Sequence, residues 1–324
     1  MNPIPEDLCQ RPFSRAEALD AGVTSRMLEG QRFVRVHDGV WRVRDHEMTD
    51  EDWLLAAQLA LPARAHLTGI SRLQQLGLDF GPRLPIRFVV EGDLHRQLEN
   101  VFLHRTKKLA PRDEIGICVA AAFIAYCSLA RVIDAVKVGD WLLHHGHMTL
   151  DELKALAYGA RWRAGAFEAL WICDYLDGDS RSLKESETRA VLEFAGLPRP
   201  KVNATVPLWE TVTIIVDLFY VAFRAAVEYE GRQHFEDPIQ FASDIGRYAA
   251  LRRGEIAYVQ ATNEKLNQPR HLVLEVHQML VTRGYDGPAP EFGDRWASLF
   301  GPLSKAVEGL RREFLLRDAS GEVA

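Results

Sequence analysis

The chain has little that points to an exported, membrane-spanning or disulfide-stabilised protein. Its four cysteines, Cys9, Cys118, Cys127 and Cys173, lie far apart and form no C-x-x-C pair, which favours buried free thiols over disulfides or zinc ligands. The longest nearly apolar stretch, 117–130, has 14 residues. That is too short for a membrane span and predicts a buried helix. The N-terminus has no basic start followed by an apolar run, so we expect a cytoplasmic protein without a secretory signal.

Excess positive charge is also lacking, since the formal net charge is −6. This argues against a protein that coats nucleic acid non-specifically. It does not exclude a nuclease whose acidic residues are concentrated around a metal ion. The length of 324 residues predicts two or three domains, and no internal repeat or low-complexity segment is present.

The order of local signals predicts an α/β protein (α+β and multidomain) with four parts. They are a helical unit with a hairpin, a mixed and then helical middle region, a domain with an α-β-β-β-α-β-α pattern, and a polar C-terminal extension with one amphipathic segment. The predicted bounds are 1–46, 47–178, 180–284 and 285–324.

The first part has the element order of a winged helix-turn-helix. Ser14 and Glu17 form a capping box, Thr24 caps a second helix, and an Asp-Gly turn joins two alternating strands. Any small α+β unit could give the same order. The predicted core consists of Leu19, Met27, Leu28, Phe33, Val34 and Val36.

Several polar residues of this part could contact phosphates and base edges of DNA. Residues 1–44 hold seven arginines and six acids, however, which is a weak electrostatic signal for DNA, so a protein partner stays open. The candidates on or beside the expected recognition helix are Ser25, Arg26, Gln31, Arg32 and Arg35.

In the middle region, three histidines, His144, His145 and His147, could suggest a metal site. No cysteine or carboxylate stands at ligand spacing, so the end of a helix at Gly146 is the favoured interpretation. A further capping box at Thr149 and Glu152 predicts the next helix.

The third part contains clustered acids on predicted strands. We expect strands near 201–206, 211–219, 224–230 and 256–261 in a four-stranded mixed sheet, after a helix that Ser182 caps and Gly196 ends. Glu228 and Glu230 project from the same face because they are two residues apart. A short turn returns the chain so that Asp217 can meet them.

Three clustered carboxylates repel one another and stay ionised together only around a cation. Mg²⁺ prefers such oxygens, polarises phosphoryl groups and activates water. Pairing of the acids with Arg224, Arg232 and Arg247 in a structural network is equally compatible with the residues alone.

The segments "ESETR", "AGLPRP" and "VDLFYVAFRAAVEYEGRQHF", followed by Asp244 and Arg247, resemble the restriction-endonuclease-like domain of the very-short-patch-repair type. This domain belongs to the PD-(D/E)XK superfamily, and the resemblance spans about 182–283. It implies an α/β/α core, Mg²⁺ or Mn²⁺, and hydrolysis of DNA phosphodiester bonds. The implied catalytic residues are Glu185, the helix acid with Arg189 as its companion, and Asp217, Glu228, Glu230 and His234. Asp217, Glu228 and Glu230 are the predicted metal ligands, and Gln233, Asp244 and Arg247 support the site.

The segment "PFSRAEALDAGVTSRMLEGQRFVRVHDGVWRV" resembles the N-terminal winged helix of the AbiEi-type antitoxin family, which actinobacterial proteins join to the same nuclease-like domain. The resemblance implies DNA or a cognate protein as partner and implies no oligomeric state. The lysine usual in the nuclease superfamily is missing, so Glu230 or His234 would assist the attacking water. The alternatives are a non-catalytic antitoxin-like regulator and a defence-system interaction protein with a lapsed nuclease fold.

Overall fold

The computed structural model of the protein describes residues 4–209, 212–230 and 238–312. The chain separates into two compact units, residues 1–123 and 124–324. Both units combine helices with β-sheet, which confirms the mixed α/β class. The finer division into four parts stays a prediction. No helix in the described ranges is both long and apolar enough to cross a membrane.

The first unit opens with short helices and a three-stranded antiparallel sheet of order β1-β3-β2. The predicted Ser14–Glu17 capping box, the Thr24 cap and the hairpin over Asp38 and Gly39 are confirmed. The elements are α1 (Glu6–Cys9), β1 (Phe13–Ser14), α2 (Arg15–Asp20), α3 (Ser25–Leu28), β2 (Phe33–His37) and β3 (Val40–Val43).

The core of this sheet differs in part from the prediction. Leu28 and Phe33 are buried against Phe13, whereas Met27 packs at the margin of the cluster. Val34 and Val36 are half-buried. Leu19 is 40% exposed, so its assignment to the core was wrong. The cause is the phase of α2, which turns Ala18 instead of Leu19 toward the core.

A mixed three-stranded sheet of order β4-β5-β6 completes the first unit, with β4 antiparallel and β6 parallel to β5. One of its faces packs on a helix through Ala57, Leu61, Ile86 and Phe88. The bounds are α4 (Asp50–Ala60), β4 (Ala65–Leu67), α5 (Gly69–Gln74), β5 (Ile86–Glu91) and β6 (Val101–Thr106).

Four helices and a 3₁₀ turn follow between 119 and 175, which confirms the predicted helical character of this region, and the helix predicted after Ser182 comes next. The capping box of Thr149 and Glu152 is present, and the helix before it ends at His144, just ahead of Gly146 with φ +65°. The four cysteines are free thiols, as predicted, but only Cys127 and Cys173 are buried, whereas Cys9 and Cys118 are half-buried. The bounds are α6 (Val119–Cys127), α7 (Val132–His144), α8 (Leu150–Gly159), α9 (Ala166–Ile172), a 3₁₀ turn (Cys173–Tyr175) and α10 (Leu183–Phe194).

The predicted four-stranded mixed sheet is confirmed, with strand order β10-β9-β8-β7. Strand β8 runs antiparallel to both β7 and β9, and β10 runs parallel to β9. The bounds are β7 (Lys201–Trp209), β8 (Val212–Tyr220), a 3₁₀ turn (Val221–Phe223), β9 (Ala225–Glu230) and β10 (Ala257–Thr262).

Helices accompany and follow this sheet. The predicted amphipathic segment near the C-terminus contains two short helices, in which Trp296, Leu299 and Leu303 are buried, and a further helical stretch over the described residues 308–312. The bounds are α11 (Pro238–Arg253), α12 (Asn263–Leu266), α13 (Pro269–Thr282), α14 (Asp294–Leu299) and α15 (Leu303–Ala306).

The sheet forks between its two central strands. Strand β8 pairs with β9 only over three residue pairs, from Tyr220–Ala225 to Leu218–Val227. Beyond Leu218, the rest of β8 pairs with β7, while the rest of β9 pairs with β10. The fork therefore opens at Asp217 and Glu228, the next positions on the two strands.

Candidate active site

Asp217 and Glu228 bridge the opening of the fork by reciprocal hydrogen bonds. The backbone N–H of Tyr229 donates to Asp217 Oδ2 at 2.8 Å, and the N–H of Asp217 donates to Glu228 Oε1 at 3.3 Å. Each carboxylate accepts a backbone N–H of the other strand just beyond the end of the regular pairing. The predicted meeting of Asp217 with a glutamate of β9 is therefore present.

This pair is electrostatically unfavourable when both groups are ionised. Burial, and then the charge of Glu185, raises the pKa of Asp217 to about 6. Burial, and then the charge of Asp217, raises the pKa of Glu228 to about 7. Glu228 is only 4% exposed, so water does little to screen it. The pair thus concentrates negative charge that a cation would relieve.

Arg247 of α11 supplies part of that relief. Its Nε donates to Glu228 Oε2 at 2.9 Å, and its guanidinium also donates to the carbonyl of Ile215. One arm of the predicted structural network is therefore present. Arg224 instead donates to the carbonyl of Gly254 at 2.7 Å.

Glu230 lies on the same side of β9 as Glu228, since both side chains reach α11. Its Oε1 accepts from the hydroxyl of Tyr248 and from Gln260 Nε2, the latter at 3.0 Å. The structure therefore brings two of the three predicted metal ligands into contact and holds the third through other partners. Within 4–209, 212–230 and 238–312, no three His, Cys, Asp or Glu side chains are grouped for metal binding.

Asn203 of β7 links Glu185 to the part of the sheet that contains Asp217. Its Nδ2 donates to Glu185 Oε2 at 2.7 Å and to the carbonyl of Asp179 at 2.7 Å. The pairs Val202–Leu218 and Ala204–Val216 place Asn203 beside Asp217 on the neighbouring strand.

Asn203 also has φ +44°, a conformation that asparagine tolerates better than most residues. We did not single it out from the sequence. An asparagine inside an apolar strand was the signal that could have found it. Gln260 of β10 pairs in register with Glu228 and completes a polar row across all four strands.

Arg189 does not pair with Glu185, which corrects one interpretation of the helix motif. It is fully buried, and its guanidinium donates to Asp140 Oδ2 at 2.7 Å, to Glu193 Oε1 at 2.9 Å and to the carbonyl of Tyr175 at 2.8 Å. Glu185 and Glu193 each lie four residues from Arg189 along α10. The contact with Asp140 of α7 turns the guanidinium toward Glu193. Arg189 therefore ties α10 to α7.

Three predicted site residues fall outside what the structure describes. Gln233 and His234 lie in the segment 231–237, as does Arg232. Asp244 belongs to α11, but its side chain is outside the described set. Their predicted roles stay predictions.

The candidate DNA-contact residues lie at three different places in the first unit. Helix α3 ends at Leu28, so Gln31 and Arg32 lie in the turn before β2 rather than on a recognition helix. Ser25 accepts from Arg15 at 2.7 Å, and Arg26 is exposed on α3. Arg35 of β2 pairs with Asp38 and lies over the ring of Trp41.

The donor set at the fork suits a hard divalent cation. Mg²⁺ sites commonly use one or two carboxylates, with water and substrate phosphate completing the shell. Asp217 and Glu228 provide two carboxylates that each accept a backbone N–H of the other residue's strand, and burial together with neighbouring negative charge raises the pKa of both. No protein-family model matches the chain, and no curated protein is significantly similar to it.

Proposed function

We propose that the second unit contains a restriction-endonuclease-like α/β/α core that hydrolyses DNA phosphodiester bonds with Mg²⁺ or Mn²⁺. The observation that carries the proposal is the Asp217–Glu228 pair, which crosses the fork through backbone hydrogen bonds. A carboxylate pair with raised pKa values at an opening between strands suits metal-dependent chemistry better than it suits stability alone.

In this proposal, Asp217 and Glu228 hold the cation, and Glu185 adds negative charge beside Asp217. A bound divalent cation would polarise a phosphoryl oxygen and make a coordinated water more acidic. Both carboxyl groups must be ionised to bind it, so their pKa values fall as it binds. Arg247 orients Glu228 by holding Oε2.

Glu230 stands where the superfamily usually has its lysine. Tyr248 and Gln260 fix its Oε1, which orients the carboxylate. We infer that either Glu230 or His234 accepts the proton of the attacking water. We further propose a winged helix-turn-helix in residues 12–46 that brings DNA or a cognate protein to the enzyme.

The test is cleavage of a mixed DNA library by the full-length protein with and without Mg²⁺, compared with the Asp217→Asn variant. Asp217→Asn should abolish cleavage and should remove the thermal stabilisation that Mn²⁺ gives by binding the native state alone. Asp286→Asn is a matched control, since Asp286 is an exposed acid of the same unit. It should behave as the wild type.

A second candidate is a non-catalytic, antitoxin-like regulator with a lapsed nuclease fold. The ion pair between Arg247 and Glu228 favours it, because a guanidinium already partly neutralises the acid that would hold the metal. If calorimetry detects no Mg²⁺ or Mn²⁺ binding at millimolar concentration, the nuclease proposal is wrong. A gel shift of full-length protein that Arg26→Ala abolishes would then support the regulator.

A further inference from the structure

The outer strand of the first unit's mixed sheet presents an exposed aromatic ring. β6 is at the edge of the order β4-β5-β6, and its Leu103 turns inward to the core around Ile86 and Phe88. Phe102 and His104 alternate with Leu103 and are both exposed, Phe102 to 48%. Two rings two residues apart therefore share the outward face of one strand.

A cation lies directly over the first of these rings. Arg87 of β5 is the register partner of Phe102, and its guanidinium carbon is 5.0 Å from the ring centroid. Burial lowers the pKa of Arg87. Among the described residues, no carboxylate pairs with its guanidinium. The exposed ring and the cation beside it together offer a surface that suits an anionic or π-rich partner.

A cleft of about 580 Å³ adjoins this surface, and Phe102, His104, Thr106 and Lys107 line it. The segment 101–112 contains four Lys and Arg residues and no acid. Asp93 also borders the cleft, but Arg105 pairs with it at 2.7 Å. With Asp93 paired to Arg105, the lining of the cleft keeps one excess positive charge, at Lys107.

Protection of an edge strand explains only part of this pattern. Lysines on an edge strand prevent pairing with other chains, which accounts for the two that follow β6. That role does not require a half-exposed phenylalanine beneath an arginine on the face of the sheet. Stacking of an aromatic with a cation, beside a basic cleft, is the combination that proteins use to bind unpaired nucleic acid strands.

We propose that the face formed by Arg87, Phe102, His104 and Lys107 binds single-stranded nucleic acid. A base stacks on the ring of Phe102, and Arg87 and Lys107 contact the phosphates on either side. His104 provides a second ring on the same face of β6, two residues after Phe102. This face lies in the first unit, so the inference does not require the phosphodiester cleavage proposed above.

The test is fluorescence anisotropy of the full-length protein with a labelled oligothymidylate about 20 nucleotides long, in EDTA and at low ionic strength. Phe102→Ala should weaken binding about tenfold, the loss of one stacked base. Phe102→Leu keeps apolar volume under Arg87 without a ring and should weaken binding to a similar extent. Lys107→Gln should reduce the salt dependence by about 0.7 in log–log slope, as for one lost phosphate contact.

Trp162→Ala is the matched control. Trp162 is 60% exposed with Arg163 at 4.3 Å from its ring centroid, but it belongs to the second unit. It should bind oligothymidylate like the wild type. So should Asp286→Asn, which alters an exposed acid of the second unit. The EDTA removes the divalent cation that the proposed cleavage requires, which separates this test from that of the nuclease.

Three results would overturn the inference. They are no binding by the wild type, equal loss in Trp162→Ala and Phe102→Leu, or tighter binding of a labelled oligoglutamate peptide than of the oligothymidylate. The last would mean that the edge of β6 receives an acidic protein strand instead.

Discussion

The side chain of Asp217 and the backbone of Tyr229 are joined at 2.8 Å across two strands that have just stopped pairing. The carboxylate takes the acceptor position that a backbone carbonyl holds in a regular ladder. The side chains that the proposed chemistry would use therefore connect the two strands at the point where their regular pairing ends.

The first prediction concerns the pH dependence of stability in metal-free protein. Asp217 and Glu228 have folded-state pKa values of about 6 and 7, above the ordinary values of 3.8 and 4.5. The folded state therefore binds protons more tightly, and the pair's stabilisation is present below pH 4 and is lost as pH rises to 7. Asp217→Asn removes one of the charges and keeps an acceptor oxygen for Tyr229. Relative to the wild type it should gain about 1–3 kcal/mol between pH 5 and pH 8.

Urea unfolding in EDTA at the two pH values measures this difference. The exposed acid Asp286 provides the control, because Asp286→Asn should shift stability equally at both. An Asp217→Asn variant whose stability relative to the wild type is independent of pH would contradict the assignment of the raised pKa to this pair.

The second prediction concerns Arg247, whose guanidinium lies against Glu228. Arg247→Gln leaves Glu228 without a cation and should lower the free energy of unfolding at pH 8 by about 1–3 kcal/mol. The loss should be smaller at pH 5, where Glu228 is protonated. Arg252→Gln removes an exposed arginine of the same helix and should cost less than about 0.5 kcal/mol. Equal losses for the two variants in urea unfolding would rule out a special role of the ion pair.

The third prediction uses the positive φ of Asn203. Asn203→Ala loses both side-chain hydrogen bonds and also places alanine in a left-handed conformation, whereas Asn203→Gly loses only the bonds. Glycine should therefore be the more stable of the two by about 1 kcal/mol. At Thr205, on the same strand with ordinary φ, the order should reverse. Thermal unfolding of the four variants measures both differences. If the alanine variant is the more stable one at both positions, the backbone of Asn203 is not strained.

The fourth prediction concerns the buried guanidinium of Arg189. A lysine cannot reproduce its planar set of donors to Asp140, Glu193 and the Tyr175 carbonyl. Arg189→Lys should lower the free energy of unfolding by about 3–5 kcal/mol. Arg199→Lys alters a 43% exposed arginine that also pairs with Glu193, and should cost about 1 kcal/mol or less. A small loss in Arg189→Lys would mean that the α7–α10 contact depends on apolar packing alone.

Features of the fold that depend on neighbours in the chain were predictable. The cap at Ser182, the Asp-Gly hairpin and the four strands follow from local hydrogen bonding, turn conformation and the alternation of side chains. The same alternation correctly placed Glu228 and Glu230 on one side of β9.

Features that depend on distant contacts were not predictable. Arg189 has acids four residues away in both directions, and only the position of Asp140, 49 residues earlier, favours Glu193. The fork could not be predicted from the spacing of apolar residues either, because β8 and β9 both continue as strands beyond the point where they stop pairing with each other. Leu19 was assigned to the core wrongly because a helix of six residues is too short for its sequence to show which side faces the core.

The reciprocal bonds at the fork also restrict how this chain can change over generations. A substitution at Asp217 or Glu228 that removes the side-chain oxygen leaves a backbone N–H without an acceptor, so the fold suffers together with any activity. Replacement by the corresponding amide removes the charge but keeps the oxygen. Descendants that lack the proposed activity but still fold should therefore carry asparagine at the first position and glutamine at the second, and alanine at neither.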